Sequence, residues 1–341
     1  MNITVVGLDI AKNVFVLCGL NQAGKPMLQR RLSRAKVLGF FANLPVCLIG
    51  IEACPGAHYW ARELLRFGHQ VKLVPAQYVQ PFVRGDKTDA RDARAIAEAI
   101  TRPDMTFVQI NTDAQQDLQM VHRVRQRLVK ERTALLLQIR GLLNEYGIVF
   151  PQGSQRVAAV LRELLADTQS FSGLALVIWH DLLVQLQTKE QQVADYDARV
   201  QQLCRDTPQA ARLQQAPGIG PLTATAFVAA FGNASHFASG RKLAACLGLV
   251  PREHSSGGKQ QLLGITKRGN AYLRTLLIHG ARTLLRHADK KTDRLSCWAC
   301  SLKARKGFNV AAVALANKLA RIAWAMLSRD ADYDANLLQQ A

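Results

Sequence analysis

The first hundred residues alternate between short unbroken apolar runs and stretches with helical spacing. Ile3-Thr4-Val5-Val6-Gly7-Leu8 has the length of a buried strand and stops at Asp9. Residues 13–18 form a second run and residues 26–33 a third. Asn21-Gln22-Ala23-Gly24-Lys25 between them has turn composition, which predicts a hairpin. A helical pattern over residues 34–43 precedes another buried run, Val46-Cys47-Leu48-Ile49-Gly50-Ile51, which ends at Glu52. A helix over 56–67 and a fifth strand over 70–74 follow. The last helix of this part opens inside Arg84-Gly85-Asp86-Lys87-Thr88-Asp89-Ala90-Arg91-Asp92-Ala93-Arg94 and runs on to Ile100, with Asp86 or Thr88 as its N-cap.

Beyond residue 110 the period changes. Leu118, Val121, Leu128, Leu135, Ile139 and Leu142 follow a heptad-like spacing, with Arg125 and Arg132 in register. Leu174, Val177, Ile178, Leu182, Leu186, Val193, Tyr196, Val200 and Leu203 give a second amphipathic stretch. Gly147, Pro151, Gly153 and Gly173 between them predict a hinge or loop, so two long helices would fold back as a coiled-coil stalk for oligomerisation. The last third opens with Pro217-Gly218-Ile219-Gly220, a helix–hairpin–helix-like turn. Its freed backbone N–H groups, at Gly218 and Gly220, suit a DNA phosphate. Ser255-Ser256-Gly257-Gly258-Lys259 and Lys267-Arg268-Gly269-Asn270 then read as loops between helices.

Five strands with helices in the order βββαβαβα predict an α/β, RNase H-like domain over residues 1–110, with a mixed sheet and helices on both faces. A helical region over 111–208 and a mainly helical DNA-binding domain over 209–341 complete the expected division. Asp9 and Glu52 stand where buried strands end, and ligands of open α/β sheets bind at carboxyl ends of strands. Asp89 and Asp92, three apart, share a helix face that can be brought to the same edge. Four carboxylates there would repel one another without divalent cations. Hard oxygen donors suit Mg²⁺ or Mn²⁺, in the two-ion arrangement used for phosphoryl chemistry. Acidic residues also favour the first turn of any helix, and strands commonly end on polar residues.

Charge sharpens the expected partner. The chain of 341 residues carries 44 Lys and Arg against 25 Asp and Glu, a net charge of +19. Residues 1–110 hold +6, residues 111–208 are neutral, and residues 209–341 hold +13. Such a balance favours a polyanion, nucleic acid first. Arg241, Lys242, Lys259, Lys267, Arg268 and Arg274 are the candidate phosphate contacts. Cys18, Cys47, Cys54, Cys204, Cys246, Cys297 and Cys300 lack a disulfide spacing, and reduced thiols in a cytoplasmic protein are expected. The longest apolar stretch, residues 308–327, includes Asn317, Lys318 and Arg321, which predicts a packed amphipathic helix and no membrane partner.

Gly7-Leu8-Asp9, Glu52-Ala53, Asp86-Lys87-Thr88-Asp89-Ala90-Arg91-Asp92, Pro217-Gly218-Ile219-Gly220, Gly248-Leu249-Val250-Pro251, Ser255-Ser256-Gly257-Gly258 and Lys267-Arg268-Gly269-Asn270 together resemble the DEDD transposases of bacterial insertion sequences, which include pilin-gene invertases. The resemblance covers nearly the whole chain. It implies a RuvC-like nuclease domain using Asp9, Glu52, Asp89 and Asp92 on Mg²⁺, and a second domain supplying a catalytic serine. It implies oligomers, dimeric or tetrameric, that cut and rejoin donor and target DNA through a phosphoserine ester, with a noncoding guide RNA from the element. The family's serine–glycine pattern falls on Ser256, with Ser255 beside it as the alternative. Cys54-Pro55-Gly56 departs from the more usual Ala-Thr/Ser-Gly after the glutamate.

Other readings use the same residues differently. A Holliday-junction resolvase would share the metal site and hydrolyse with water. An actin-like ATPase or sugar kinase would bring Gly7-Leu8-Asp9 to a nucleotide phosphate, leaving the basic last third without a role. A non-enzymatic nucleic-acid-binding protein would leave the four carboxylates idle.

Overall fold

A computed structural model describes residues 2–86, 88–149, 153–167, 169 and 171–335. Lys87 of the acidic stretch and Pro151 of the expected hinge lie outside the described residues. The chain divides into two compact units, Met1–Thr112 and Asp113–Ala341.

The first unit is built on β1 (Val5–Ile10), β2 (Val14–Leu20), β3 (Pro26–Ser33), β4 (Leu48–Glu52) and β5 (Gln70–Val74). They form one mixed sheet in the order β3-β2-β1-β4-β5. The β1–β2 and β2–β3 pairs are antiparallel, whereas β1–β4 and β4–β5 are parallel. This sheet, with its interleaved helices, is that of an RNase H-like domain. Helices α1 (Val37–Ala42) and α2 (Ala57–Arg66) cover one face. Phe15, Phe41, Ile49, Ile51 and Leu64 are fully buried there, each worth about 1.5–3 kcal/mol. The short α3 (Ala76–Val79) leads to α4 (Asp89–Ala99), which covers the other face. Two glycines allow α4 to lie on the sheet. A Cβ on Gly7 would meet the Ala93 carbonyl oxygen at 1.9 Å, and one on Gly50 would meet Ile100 at 2.7 Å.

The second unit begins with α5 (Asp113–Glu145), α6 (Ser154–Ala166) and α7 (Gly173–Asp206). The ion pairs Arg125–Asp197 (2.5 Å) and Lys189–Glu131 (2.8 Å) show that α5 and α7 run antiparallel. Leu135, Ile139 and Leu143 of α5 meet Trp179, Leu182, Leu183 and Leu186 of α7 in one core. The heptad pattern needs correcting at its far end. Leu143 is buried where Leu142 was expected, and Leu174, Val177 and Ile178 are exposed while Ala175 and Trp179 face inward. The segment expected to be a plain loop contains α6, whose Val157, Ala158 and Leu161 pack into this same core.

Five further helices follow: α8 (Pro208–Leu213), α9 (Pro221–Phe231), α10 (Gly240–Cys246), then, after the hairpin of β6 (Pro251–Glu253) and β7 (Leu262–Ile265), α11 (Ala271–His287) and α12 (Arg294–Lys306). The chain then enters α13 (Phe308–Ser328), with ten buried residues packed among α10, α11 and α12. Among the described residues α13 is the one helix long and apolar enough to cross a membrane, and 56% of its apolar window is buried in the fold.

A polar network ties α5 to this core. His122 is buried, with Nδ1 3.1 Å from the Tyr272 hydroxyl and Nε2 3.0 Å from Thr225 Oγ1. Thr225 donates its own proton to the Pro221 carbonyl at 2.8 Å. His122 Nε2 therefore donates to Thr225, and Nδ1 accepts from Tyr272. Burial, then the nearby Arg125 charge, pushes the His122 pKa down to about 4, so the ring is neutral at pH 7.

Candidate active site and nucleic-acid interface

The four carboxylates belong to one edge of the first unit. The parallel β1–β4 register pairs Gly7 with Gly50 and Leu8 with Ile51, so the next step sets Asp9 beside Glu52. Neighbouring strands lie ~4.8 Å apart, and paired side chains share a face. That face is the one α4 covers, because Gly7 and Gly50 both touch it. From Gly7, level with Ala93, two strand residues (~6.6 Å) reach Asp9; four helix residues back from Ala93 (~6 Å) reach Asp89. Asp92 lies one turn along on the same side. Ala90 packs with Val16, the antiparallel partner of Asp9, which fixes the helix start at this edge.

Local sequence explains the placement. Thr88 is the N-cap: its Oγ1 accepts from the Arg91 backbone N–H at 3.3 Å, so Asp89 is the first helical residue. Arg91 donates to the Asp86 carbonyl at 2.7 Å, folding its side chain over Gly85, which sits at φ +78°. Asp9, Glu52 and Asp92 are half-buried and Asp89 is exposed. Cys54, just after β4, senses the cluster: burial, then Glu52 and Asp9, raises its thiol pKa. Both carboxylates thus stand near one sulfur. Among the described residues no three His, Cys, Asp or Glu side chains converge closely enough to hold an ion. The donors at this edge are carboxylate oxygens, the class that hard divalent cations take.

The serine pair lies in the second unit, on the β6–β7 hairpin, where every residue from 251 to 264 is exposed. Ser256 and Lys259 close a tight turn, with the Lys259 N–H donating to the Ser256 carbonyl at 3.0 Å. Gly257 and Gly258 have φ of +56° and +77°, as a type I′ turn demands. The two hydroxyls differ. Ser255 donates to Glu253 Oε1 at 2.7 Å and accepts from the Gln261 N–H at 3.2 Å. No hydrogen bond among the described residues uses the Ser256 hydroxyl. Glu253, which orders Ser255, carried no signal in the sequence beyond its charge.

The basic loop is braced from behind. Gly269 passes so close to α10 that a Cβ would meet the Cys246 carbonyl oxygen at 1.9 Å. Lys267 adopts φ +55°, unusual for a side-chain-bearing residue. Arg274 Nη1 donates to the carbonyls of Leu247 (3.0 Å) and Arg268 (2.8 Å), so that side chain holds the loop. Lys267, Arg268, Lys259, Arg241 and Lys242 are left facing outward. Gly218 and Gly220 also part ways. Gly218, at φ +82°, packs on α11, where a Cβ would meet Leu284 at 2.8 Å, and Gly280 lies against its carbonyl. Gly220, the α9 N-cap, borders open space. The seven cysteines are free thiols.

An RNase H-like sheet with acidic residues at its β1, β4 and α4 edge, followed by a basic helical unit, is the arrangement that a resemblance to DEDD transposases implies. Sequence models of this class match in two places: a DEDD transposase model of the IS110 type over residues 6–148, and the "Transposase IS116/IS110/IS902 family" model over residues 210–296. The chain is 47% identical to a probable family 20 transposase of Pseudomonas aeruginosa, over 98% of this chain and 99% of the relative. It is 44% identical to the transposase for insertion sequence element IS1111A of Coxiella burnetii, over 97% and 92%. At 27% identity and 81% coverage of each chain it is similar to a pilin gene-inverting protein of Moraxella bovis. The chain belongs to the IS110-type DEDD transposases, enzymes that transfer DNA strands.

Proposed function

We propose that this transposase cuts and rejoins DNA through a phosphoserine ester on Ser256, with Asp9, Glu52, Asp89 and Asp92 holding two Mg²⁺ or Mn²⁺ ions. DEDD transposases are typically metal-dependent, and the bound cation would polarise the scissile phosphate. Asp9 and Glu52 offer hard oxygen donors from rigid strand ends, and Asp89 and Asp92 offer two more from the helix that caps that edge. Ser256 Oγ would attack the phosphorus. The P–Oγ bond forms, the P–O bond to the leaving strand breaks, and the hydroxyl proton ends on the leaving oxygen. A hydroxyl of the joining strand later reverses the exchange. One phosphodiester is thus carried as one phosphoester, so no nucleotide cofactor is required. Water in place of Ser256 would discard that bond energy.

The observation that carries the choice of nucleophile is the difference between the two serines. Ser255 is held by Glu253 and Gln261, while Ser256 opens a turn whose two glycines present no side chains. Arg241, Lys242, Lys259, Lys267 and Arg268 would contact DNA phosphates, with Arg274 bracing their loop. Gly220, at the open start of α9, is the better placed half of the helix–hairpin–helix-like turn. The antiparallel α5–α7 pair would serve homo-oligomer contacts, and an element-encoded RNA would choose the DNA. The decisive experiment mixes protein, labelled DNA and Mg²⁺, denatures, and looks for DNA-linked protein. Wild type and Ser255→Ala should form it and Ser256→Ala should not. Cleavage without any adduct favours the hydrolytic, resolvase-like reading.

A further inference from the structure

We propose that a cavity formed by α10, α13 and the segment after α13 binds one unstacked nucleotide of a single-stranded nucleic acid. Its phosphate would lie on Arg241 and Arg321 and its base against Trp324. The inference rests on the nucleic-acid reading above and deepens it, joining Arg241, already a candidate phosphate contact, to Arg321 and Trp324 in one cavity. The cavity measures about 370 Å³, within the ~300–1,000 Å³ of small-ligand pockets. Gly240, Arg241, Arg321, Trp324, Arg329 and Tyr333 line it.

The helices meet at Gly240. A Cβ there would stand 3.1 Å from Arg321 Cα and 3.2 Å from Trp324 Cε3. This approach brings Arg241 of α10 to the wall that carries Arg321 of α13. No ion pair among the described residues uses Arg241, Arg321 or Arg329. The nearby acidic residues Asp330 and Asp332 instead pair with Arg212. Burial first, and then the Arg241 charge, lowers the Arg321 pKa, so two cations stand near one another in a cavity that Asp332 and Asp334 also line, with Asp332 paired to Arg212. An anion placed between them relieves that repulsion and gains charge-assisted hydrogen bonds.

The aromatic wall selects what carries the anion. The Trp324 indole N–H donates to the Phe237 carbonyl at 3.1 Å, which fixes the ring at the cavity wall. The Tyr333 backbone N–H donates to Gln215 Oε1 at 3.0 Å, anchoring the opposite rim. A fixed indole beside guanidinium groups is a stacking platform for a base joined to its phosphate. A base within a duplex stays stacked on its neighbours and does not enter a pocket, so the occupant is single-stranded.

The test uses the full chain in EDTA, so that failure of the metal–serine chemistry leaves the result untouched. Fluorescence anisotropy follows single-stranded DNA, single-stranded RNA and duplex DNA of one mixed sequence across a salt series. Arg321→Gln should weaken single-strand binding and flatten the log–log salt slope by ~0.7, the value for one phosphate on a single strand. Arg241→Gln, on the exposed rim, should do the same without disturbing the core. Trp324→Leu should weaken single-strand binding ~10-fold with the slope unchanged, because stacking releases no counterions. Thermal melts confirm that each variant is folded. A loss with DNA, with RNA or with both supports the site and identifies its source strand. Unchanged single-strand affinity in Trp324→Leu overturns the proposal, and an equal loss on duplex DNA in Trp324→Leu overturns the unstacked base.

Discussion

Gly7 in the first unit and Gly257 in the second each sit beside a proposed catalytic group, in opposite surroundings. A methyl group on Gly7 would strike the Ala93 carbonyl at 1.9 Å and the Ala97 nitrogen at 2.5 Å; one on Gly257 would meet nothing within 4 Å. The carboxylates are set by a sheet and a helix in direct backbone contact. The serine stands on a two-stranded hairpin that buries none of its residues. The contrast assigns the parts different work. Acidic groups that must share cations need positions fixed to a fraction of an ångström. A nucleophile that must take up a DNA strand and later return it needs access.

The largest expected effect falls on the rigid half. Asp9→Ala, Glu52→Ala, Asp89→Ala and Asp92→Ala should each abolish strand cleavage in a gel assay while the melting temperature holds. Full activity in excess EDTA would remove the metal from the account, and retained strand exchange in Asp92→Ala would remove that residue from the site. Gly7→Ala should come next. It forces α4 off the sheet and should cost about 3 kcal/mol or more, with loss of cleavage, in urea unfolding and activity assays.

A smaller effect tests the core of the second unit. The His122 pKa is about 4 when folded and near 6.5 when unfolded. Below pH 6.5 the unfolded chain takes up a proton that the folded chain refuses. The contribution is therefore fully present above pH 6.5 and is lost as pH falls toward 4. Between pH 7 and pH 5 stability should drop by about 2 kcal/mol from this group, and His122→Gln should flatten that dependence. The smallest change is Gly257→Ala. With φ at +56° and open space it should cost about 1 kcal/mol and slow adduct formation without unfolding the protein. Equal costs for Gly7→Ala and Gly257→Ala would erase the contrast between the two regions.

The first unit was largely legible from the chain. Buried strands are apolar runs of fixed length, and β3 and β5 fall on the expected residues 26–33 and 70–74. β4 ends on Glu52 as expected, whereas β1 runs past Asp9 to Ile10, so Asp9 lies within the strand; of the two caps expected, Asp86 or Thr88, it is Thr88 that sets Asp89 at the start of α4. In the second unit the glycines around residue 150 suggested a hinge or loop, although Val157, Val160, Leu161, Leu164 and Leu165 follow the helical spacing with which α6 packs into the core. The heptad frame failed in the first turns of α7, where Ala175 and Trp179, not Leu174 and Ile178, face inward. That Gly218 packs on α11 was not legible, because a sequence cannot show that Gly280 lies against it. Arg321 could not be paired with Arg241 for the same reason: tertiary packing at Gly240 brings them together.

The proposed strand transfer requires a free serine hydroxyl that carries DNA covalently. Mass spectrometry of the denatured adduct, digested with nuclease and protease, would place the phosphate on one residue. The prediction is a phosphoester on Ser256, formed only with divalent cation and absent from Ser256→Ala. A phosphoester on Ser255, or DNA cleavage by the wild type with no protein-linked phosphate at all, would contradict it.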